Sequence, residues 1–139
     1  MKLHKSPSIR VALAGIALTG FAVACSEVSM PEPDEGALLF AANCTTCHGS
    51  DGKGAKLASG RQAPDLTTIA RRNKGEFPRA RVLSQIDGYG RGALPPEAMP
   101  EFGALLKGDT VPVEVDGVLT PTPRPLAALL AYLENIQTP

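Results

Sequence analysis

Three residues with clear chemical potential, Cys44, Cys47 and His48, stand in the order C-x-x-C-H. On one helical turn, residues three and four positions apart share a face, so both thiols and the imidazole point to the same side. Two thiols can form thioether bonds with the two vinyl groups of a haem while the imidazole reaches the iron. This spacing is the signature of covalent haem attachment, and we predict one haem c here.

Two other kinds of site also use a C-x-x-C pair. A thiol–disulfide site is expected next to a thioredoxin-like βαβ pattern, which this sequence lacks. A zinc site needs four ligands, and the chain has only three Cys and two His, of which His4 lies in a segment predicted below to be removed. Both alternatives therefore fit the sequence less well than haem attachment.

The amino terminus predicts export. Lys2, Lys5 and Arg10 precede an uncharged stretch, residues 11–24, that is shorter than the roughly 20 residues needed to span a bilayer as a helix. The stretch ends in Ala-Val-Ala, a pattern read by signal peptidase, so we predict that residues 1–24 are a signal peptide. We expect a periplasmic protein, since haem is attached covalently outside the cytoplasm.

Cys25 directly follows the predicted cleavage site. The segment resembles a bacterial lipoprotein signal, in which Cys25 would be lipidated and would hold the protein to a membrane. Ordinary secretion with a free Cys25 is the alternative. Residues 25–35 are polar and rich in proline and are predicted to form a tether. Residues 36–139 are then predicted to form one domain.

Charge excludes one class of partner. Removal of residues 1–24 takes three of the 14 basic residues and none of the 14 acidic residues, which leaves a net charge of −3. Without a basic excess, we expect no nucleic-acid partner. Residues 53–81 nevertheless contain eight basic residues against Asp65 and Glu76. This local excess either forms a solvated face or steers an acidic redox partner.

A buried haem iron usually takes a second axial ligand. His48 is the only His left after export, Met1 is removed, and Met30 lies in the predicted tether. Met99 remains, in a loop that its flanking prolines stiffen, and we predict that it is the second ligand. Ligation by Lys or Asn, an open position, and a packing role for Met99 are the alternatives.

With these residues, the sequence resembles the monohaem class I cytochromes c of bacteria over about residues 36–137. The resemblance implies an all-α fold, in which short helices surround one covalently bound haem. It also implies that an amino-terminal helix containing Gly36 and Phe40 crosses a carboxy-terminal helix containing residues 129–133, the sequence Leu-Leu-Ala-Tyr-Leu.

The resemblance further implies roles for the Pro-x-Leu sequence that begins at Pro64. The carbonyl of Pro64 would orient the ring of His48, and Leu66 would pack on the haem face. Tyr89 and Arg91, which follow a predicted helix end in a glycine-rich stretch, are candidates for a bond to a haem propionate.

The spacing of apolar residues predicts the remaining elements. We expect helices over residues 66–73, from Pro78 to a stop at Gly88, and over residues 125–136. Apolar residues alternate before an Asp-Gly pair within residues 111–119, which predicts a small β-hairpin before the last helix. The sequence does not assign this hairpin a role.

An iron with two axial ligands changes its charge without taking a substrate. We therefore predict a one-electron carrier between a donor and an acceptor redox protein, with no enzymatic activity of its own. Two alternatives remain open. One is a cytochrome subunit of a periplasmic dehydrogenase or oxidase complex, and the other is a gas-binding or peroxidatic haem protein from whose iron Met99 dissociates.

Overall fold

The computed structural model describes residues 29–89 and 99–139. The predictions for the signal peptide, Cys25 and Arg91 fall outside the described residues. The described chain is mostly helical, with one antiparallel pair of strands. Its elements are α1 (Pro33–Asn43), α2 (Thr45–His48), α3 (Ile69–Arg72), α4 (Arg79–Asp87), α5 (Phe102–Leu105), β1 (Thr110–Val115), β2 (Val118–Pro123) and α6 (Arg124–Asn135). None of these described helices has the length and apolar character needed to cross a membrane.

Helices α1 and α6 cross at a glycine. Gly36 is buried, and a Cβ placed on it would lie 2.0 Å from the carbonyl oxygen of Ala128 and 2.6 Å from the Cβ of Tyr132. Any side chain at this position would therefore push the two helices apart. Next to the crossing, the ring centroids of Phe40 and Tyr132 lie 5.1 Å apart, a favourable distance for an aromatic pair. The predicted helix crossing is present.

The start of α1 follows from its first residues. Pro33 occupies the first turn, where its missing N–H costs no helical hydrogen bond. Asp34 and Glu35 place negative charge at the positive end of the helix dipole. The helix thus includes residues 33–35, so the tether predicted over residues 25–35 is shorter at its carboxy-terminal end, and the acidic residues Asp34 and Glu35 lie in the first helical turn that suits them.

Helix α6 supplies much of the core. The leucines on one stripe of this helix are buried, and Ala127 and Ala128 beside the stripe are buried as well. Val82 and Ile86 of α4 and Phe102 of α5 belong to the same buried cluster. The buried leucines of the stripe are Leu126, Leu129, Leu130 and Leu133.

Helix α3 is shorter than the predicted 66–73. The carboxylate of Asp65 accepts hydrogen bonds from the backbone N–H of Thr67 at 2.8 Å and from its hydroxyl at 2.7 Å. This Asx turn occupies the residues that would otherwise form the first helical turn, so the helix begins only at Ile69. The other predicted helices agree with the structure to within about one residue, and α4 ends at Gly88 with a positive φ of 96°.

The predicted hairpin is present and longer than expected, because β2 continues to Pro123. Val115 pairs with Val118, and the intervening Asp116 and Gly117 have φ values of 51° and 82°. Two left-handed residues form the type I′ turn that two-residue hairpins prefer. The short helix α5 was not predicted.

Candidate functional site

The C-x-x-C-H residues lie where α1 passes into α2. The N–H of Cys44 donates to the carbonyl of Phe40 at 2.8 Å, which closes α1. The N–H groups of Cys47 and His48 then donate to the carbonyl of Cys44 at 3.2 and 2.9 Å. One helical turn therefore joins the three side chains, as their spacing predicts.

All three side chains line one cavity of about 750 Å³. Its walls are mainly apolar, and Met99 also lines it. The volume falls within the range of roughly 300–1,000 Å³ that is typical of cofactor and ligand sites. Two thiols, an imidazole, a thioether and apolar walls together suit a covalently bound haem. The apolar walls include Phe40, Leu66, Ile69, Val82, Ile86, Phe102, Leu129 and Leu133.

The ring of His48 is oriented by Pro64. The side chain is 8% exposed, and its Nδ1 lies 3.2 Å from the carbonyl oxygen of Pro64. Because a carbonyl only accepts, Nδ1–H is the donor, and in the neutral ring this leaves Nε2 without a proton and able to act as a ligand. Leu66, two residues after this carbonyl, forms part of the cavity wall.

A loop after α2 brings Pro64 back to His48. The N–H of Gly54 donates to the carbonyl of His48 at 2.8 Å, and the N–H of Leu66 donates to the carbonyl of Gly52 at 2.7 Å. Gly54 has a φ of 84°, and a Cβ on it would lie 2.1 Å from the carbonyl oxygen of Ala63. Only glycine allows both this backbone conformation and this close approach.

Met99, the predicted second ligand, is half-buried at the cavity. The side-chain nitrogen of Gln85 lies 4.0 Å from its sulfur, which is within reach of a weak hydrogen bond to sulfur. The structure thus brings both predicted axial ligands to the same cavity.

The two residues considered for the propionates are placed differently. Tyr89 is 82% exposed and is not among the described residues that line the cavity, and Arg91 is outside the described residues. The arginines that do line it are Arg61, Arg72 and Arg81, and no sequence motif distinguishes them. Their only signal in the sequence is the basic run over residues 53–81.

Two of these arginines have partners nearby. A guanidinium N–H of Arg72 donates to the carbonyl of Asp65 at 2.7 Å, and Arg81 donates to the side-chain oxygen of Asn73. Asn73 also lines the cavity. One part of the lining is therefore polar and cationic, in contrast to the apolar walls.

The thiol of Cys44 has the character of a structural thiol in the chain before haem attachment. Burial, and to a lesser extent the neighbouring Cys47, raise its pKa to about 11. The thiol is therefore protonated at neutral pH, whereas redox-active thiols in C-x-x-C pairs have lowered pKa values. This shift disfavours the thiol–disulfide alternative.

The fold and the site define a small helical haem protein with two crossing helices and one covalent attachment turn. A family model described as Cytochrome c matches residues 33–137, so the chain belongs to the cytochrome c family. Membership implies covalently bound haem c, electron transfer by this haem and redox proteins as partners. Comparisons with curated proteins and with solved structures give no match.

Proposed function

We propose that this cytochrome c carries single electrons through a haem with His48 and Met99 as its axial ligands, as an exported protein. The observation that supports this ligand pair is the shared cavity, which both side chains line together with Cys44 and Cys47. When bound, the haem supplies an iron that takes up and releases one electron.

The side chains of this site have separate roles in the proposal. The thiols of Cys44 and Cys47 would hold the haem: the S–H of each would add across one vinyl group, and the two resulting thioether bonds would prevent loss of the haem. The carbonyl of Pro64 fixes the rotation of the His48 ring and raises its basicity. The soft sulfur of Met99 favours the ferrous state and so raises the reduction potential.

The cationic part of the lining supports a role for Arg72 and Arg81 with the haem propionates. A guanidinium donates strong, charge-assisted hydrogen bonds to a carboxylate. Both arginines line the cavity and are therefore better placed for this role than the exposed Tyr89.

Replacement of the proposed sulfur ligand tests the proposal. In Met99→Ala, we expect the reduction potential to fall by on the order of 100 mV or more, because axial ligands set haem potentials over about 0.8 V. The weak red absorption band of the ferric Met–iron bond should disappear, and the reduced variant should take up carbon monoxide.

Met30→Ala is the matched control, since Met30 lies outside the cavity lining and is 44% exposed. It should keep the potential and the band of the unmodified protein. An unchanged potential in Met99→Ala would refute the ligand assignment. Carbon monoxide uptake by the unmodified reduced protein at neutral pH would instead support the gas-binding alternative.

A further inference from the structure

The side chain of Gln137, after the end of α6, connects three backbone groups of the fold. Its oxygen accepts from the N–H of Ala70 at 2.9 Å. Its nitrogen donates to the carbonyl of Leu66 at 2.8 Å and to the carbonyl of Leu133 at 2.6 Å. Gln137 thus links the end of α6 to α3 and to the Pro-x-Leu segment, although 67 and 71 positions separate the bonded residues.

These bonds use both ends of the amide. The acceptor faces a first-turn N–H of α3, and the two N–H donors face carbonyls, one of them in the last turn of α6. Such terminal backbone groups have no partner within their own helix. An apolar side chain of similar length would fill the same space and would satisfy none of these groups.

The Leu66 carbonyl stands two residues after the carbonyl that His48 uses. The N–H of the same residue, Leu66, donates to the carbonyl of Gly52 at 2.7 Å. Leu66 is therefore held at both its backbone groups, by the loop after α2 and by Gln137. Together with the hydrogen bond of 2.9 Å from the N–H of Ala63 to the carbonyl of Ala55, this double attachment limits where the Pro64 carbonyl can lie relative to the Nδ1 of His48, 3.2 Å away.

We propose that Gln137 is a positioning residue for the haem ligand His48, acting through the Leu66 carbonyl and the Pro64 carbonyl. This inference rests on His48 being an axial ligand. Gln137 helps to keep the Pro64 carbonyl within hydrogen-bond distance of the imidazole N–H, and this bond makes the ring a stronger donor to ferric iron. Loss of the amide would loosen the segment and weaken that bond.

The test uses the exported, haem-loaded protein and the variant Gln137→Met, whose side chain is similar in length but lacks the amide. We expect the ratio of ferrous to ferric protein at a given applied potential to increase by up to about tenfold. This corresponds to a rise in the reduction potential of up to about 59 mV for a one-electron couple. The NMR resonance of the His48 Nδ1–H should also move, and its exchange with solvent should accelerate.

Thr138→Val is the matched control. The Thr138 hydroxyl donates to the carbonyl of Thr67 at 3.1 Å, and the N–H of Thr138, which this substitution keeps, donates to the same carbonyl at 2.8 Å. This variant loses a hydrogen bond at the same end of the chain without touching Leu66. Its reduction potential and its His48 resonance should therefore stay unchanged.

A purely structural role predicts a different result. If Gln137→Met lowers the free energy of unfolding but leaves the potential and the His48 Nδ1–H resonance unchanged, the inference is wrong. If that variant does not accumulate with haem, Gln137→Asn, whose amide is one methylene shorter, should show a smaller shift in the same direction, and no shift would refute the inference. A wrong ligand assignment would be recognised separately. In that case the iron would not shift the NMR resonance of His48 in the unmodified protein.

Discussion

At the scale of single residues, the haem cavity combines candidate iron ligands with charged side chains that can change the reduction potential of the iron. Arg81 lines the cavity and donates to Asn73, which lines it as well. A positive charge near the haem favours the ferrous form, because the ferrous site has one positive charge less than the ferric site. The arginines of the lining should therefore raise the reduction potential, as we propose for the Met99 sulfur.

The variant Arg81→Gln tests this electrostatic effect. We expect the reduction potential to fall, by up to about 59 mV, since this corresponds to a tenfold change in a one-electron equilibrium. The fall should shrink as the ionic strength rises, because salt screens exposed charges. Potentiometric titration at two salt concentrations measures both effects.

Arg71→Gln is the control for this prediction. Arg71 belongs to the same basic run and is exposed, but it does not line the cavity. It should change the potential much less than Arg81→Gln. Equal shifts in the two variants would show that Arg81 acts only through the net charge of the molecule.

At the scale of elements, the crossing of α1 and α6 places the haem-attachment turn. Both helices are held at their amino-terminal ends by the side chain of Arg124, which binds the carboxylate of Glu35 through two hydrogen bonds of 2.8 and 3.0 Å. Gly36 lies next to this ion pair and allows the two backbones to approach closely. The direction in which α1 runs, and hence the position of Cys44, depends on this contact.

The substitution Gly36→Ala should separate the two helices. Its methyl group would lie 2.0 Å from a backbone carbonyl oxygen, which cannot move away as a flexible side chain could. We expect a loss of about 1–3 kcal/mol of unfolding free energy, as is typical of overpacked positions. Denaturant titration of the haem protein measures this loss.

A substitution on the outer face of the same helix is the comparison. Ala42 is exposed, so Ala42→Ser should change the free energy of unfolding by no more than about 0.5 kcal/mol. If both variants lost a similar amount of unfolding free energy, α1 would be sensitive to any substitution. The close approach of the helices at Gly36 would then not explain the loss in Gly36→Ala.

The prolines of the hairpin fit a two-stranded sheet with which no other strand of the described residues pairs. The backbone N–H of Arg124 donates to the carbonyl of Asp109, so these two residues, just before β1 and just after β2, form a hydrogen-bonded pair. Hydrogen-bonded and non-hydrogen-bonded pairs alternate along an antiparallel ladder, so the next pair, Thr110 with Pro123, has no ladder bonds. In the same alternation, Pro112 and Pro121 face each other at another pair without ladder bonds. These prolines cost the hairpin no hydrogen bond, and they remove N–H groups that would point outwards to a further strand.

At the scale of the whole molecule, the basic residues serve different purposes. Arg79 binds Glu134 at 2.8 Å and Glu114 at 3.4 Å, so it joins α4 to α6 and to the hairpin. Arg61, Arg72 and Arg81 line the haem cavity instead. Steering of an acidic redox partner by the basic run stays a prediction.

The attachment of the domain to its amino-terminal segment also concerns the whole molecule. The carbonyl of Ser29 accepts a hydrogen bond of 2.7 Å from Arg124, so the chain from Ser29 onwards is held against the domain. Only three residues lie between Ser29 and Cys25, and four extended steps span about 13 Å at 3.3 Å per residue. A lipid on Cys25 would therefore keep the domain close to the membrane surface.

Intact mass spectrometry of the protein from the producing cells tests this arrangement. We expect a chain that begins at Cys25, with the mass of one haem and of the acyl groups added. Cys25→Ser should lose the acyl mass and the membrane association, and it should keep the haem. A haem-bearing chain with a free Cys25 would show ordinary secretion, and a chain that retains residues 1–24 would contradict the predicted cleavage.

Much of this protein can be predicted from local sequence. The C-x-x-C-H spacing, the leucine stripe of α6 and the Asp-Gly turn each depend on residues a few positions apart, so periodicity and turn chemistry are enough to predict them. The tertiary structure decided which arginines line the cavity, how the Asx turn at Asp65 shortens α3, and that Gln137 bonds to Leu66. The contacts of the arginines and of Gln137 depend on how distant segments pack, and the Asx turn depends on a side chain competing with the backbone, which apolar periodicity does not record.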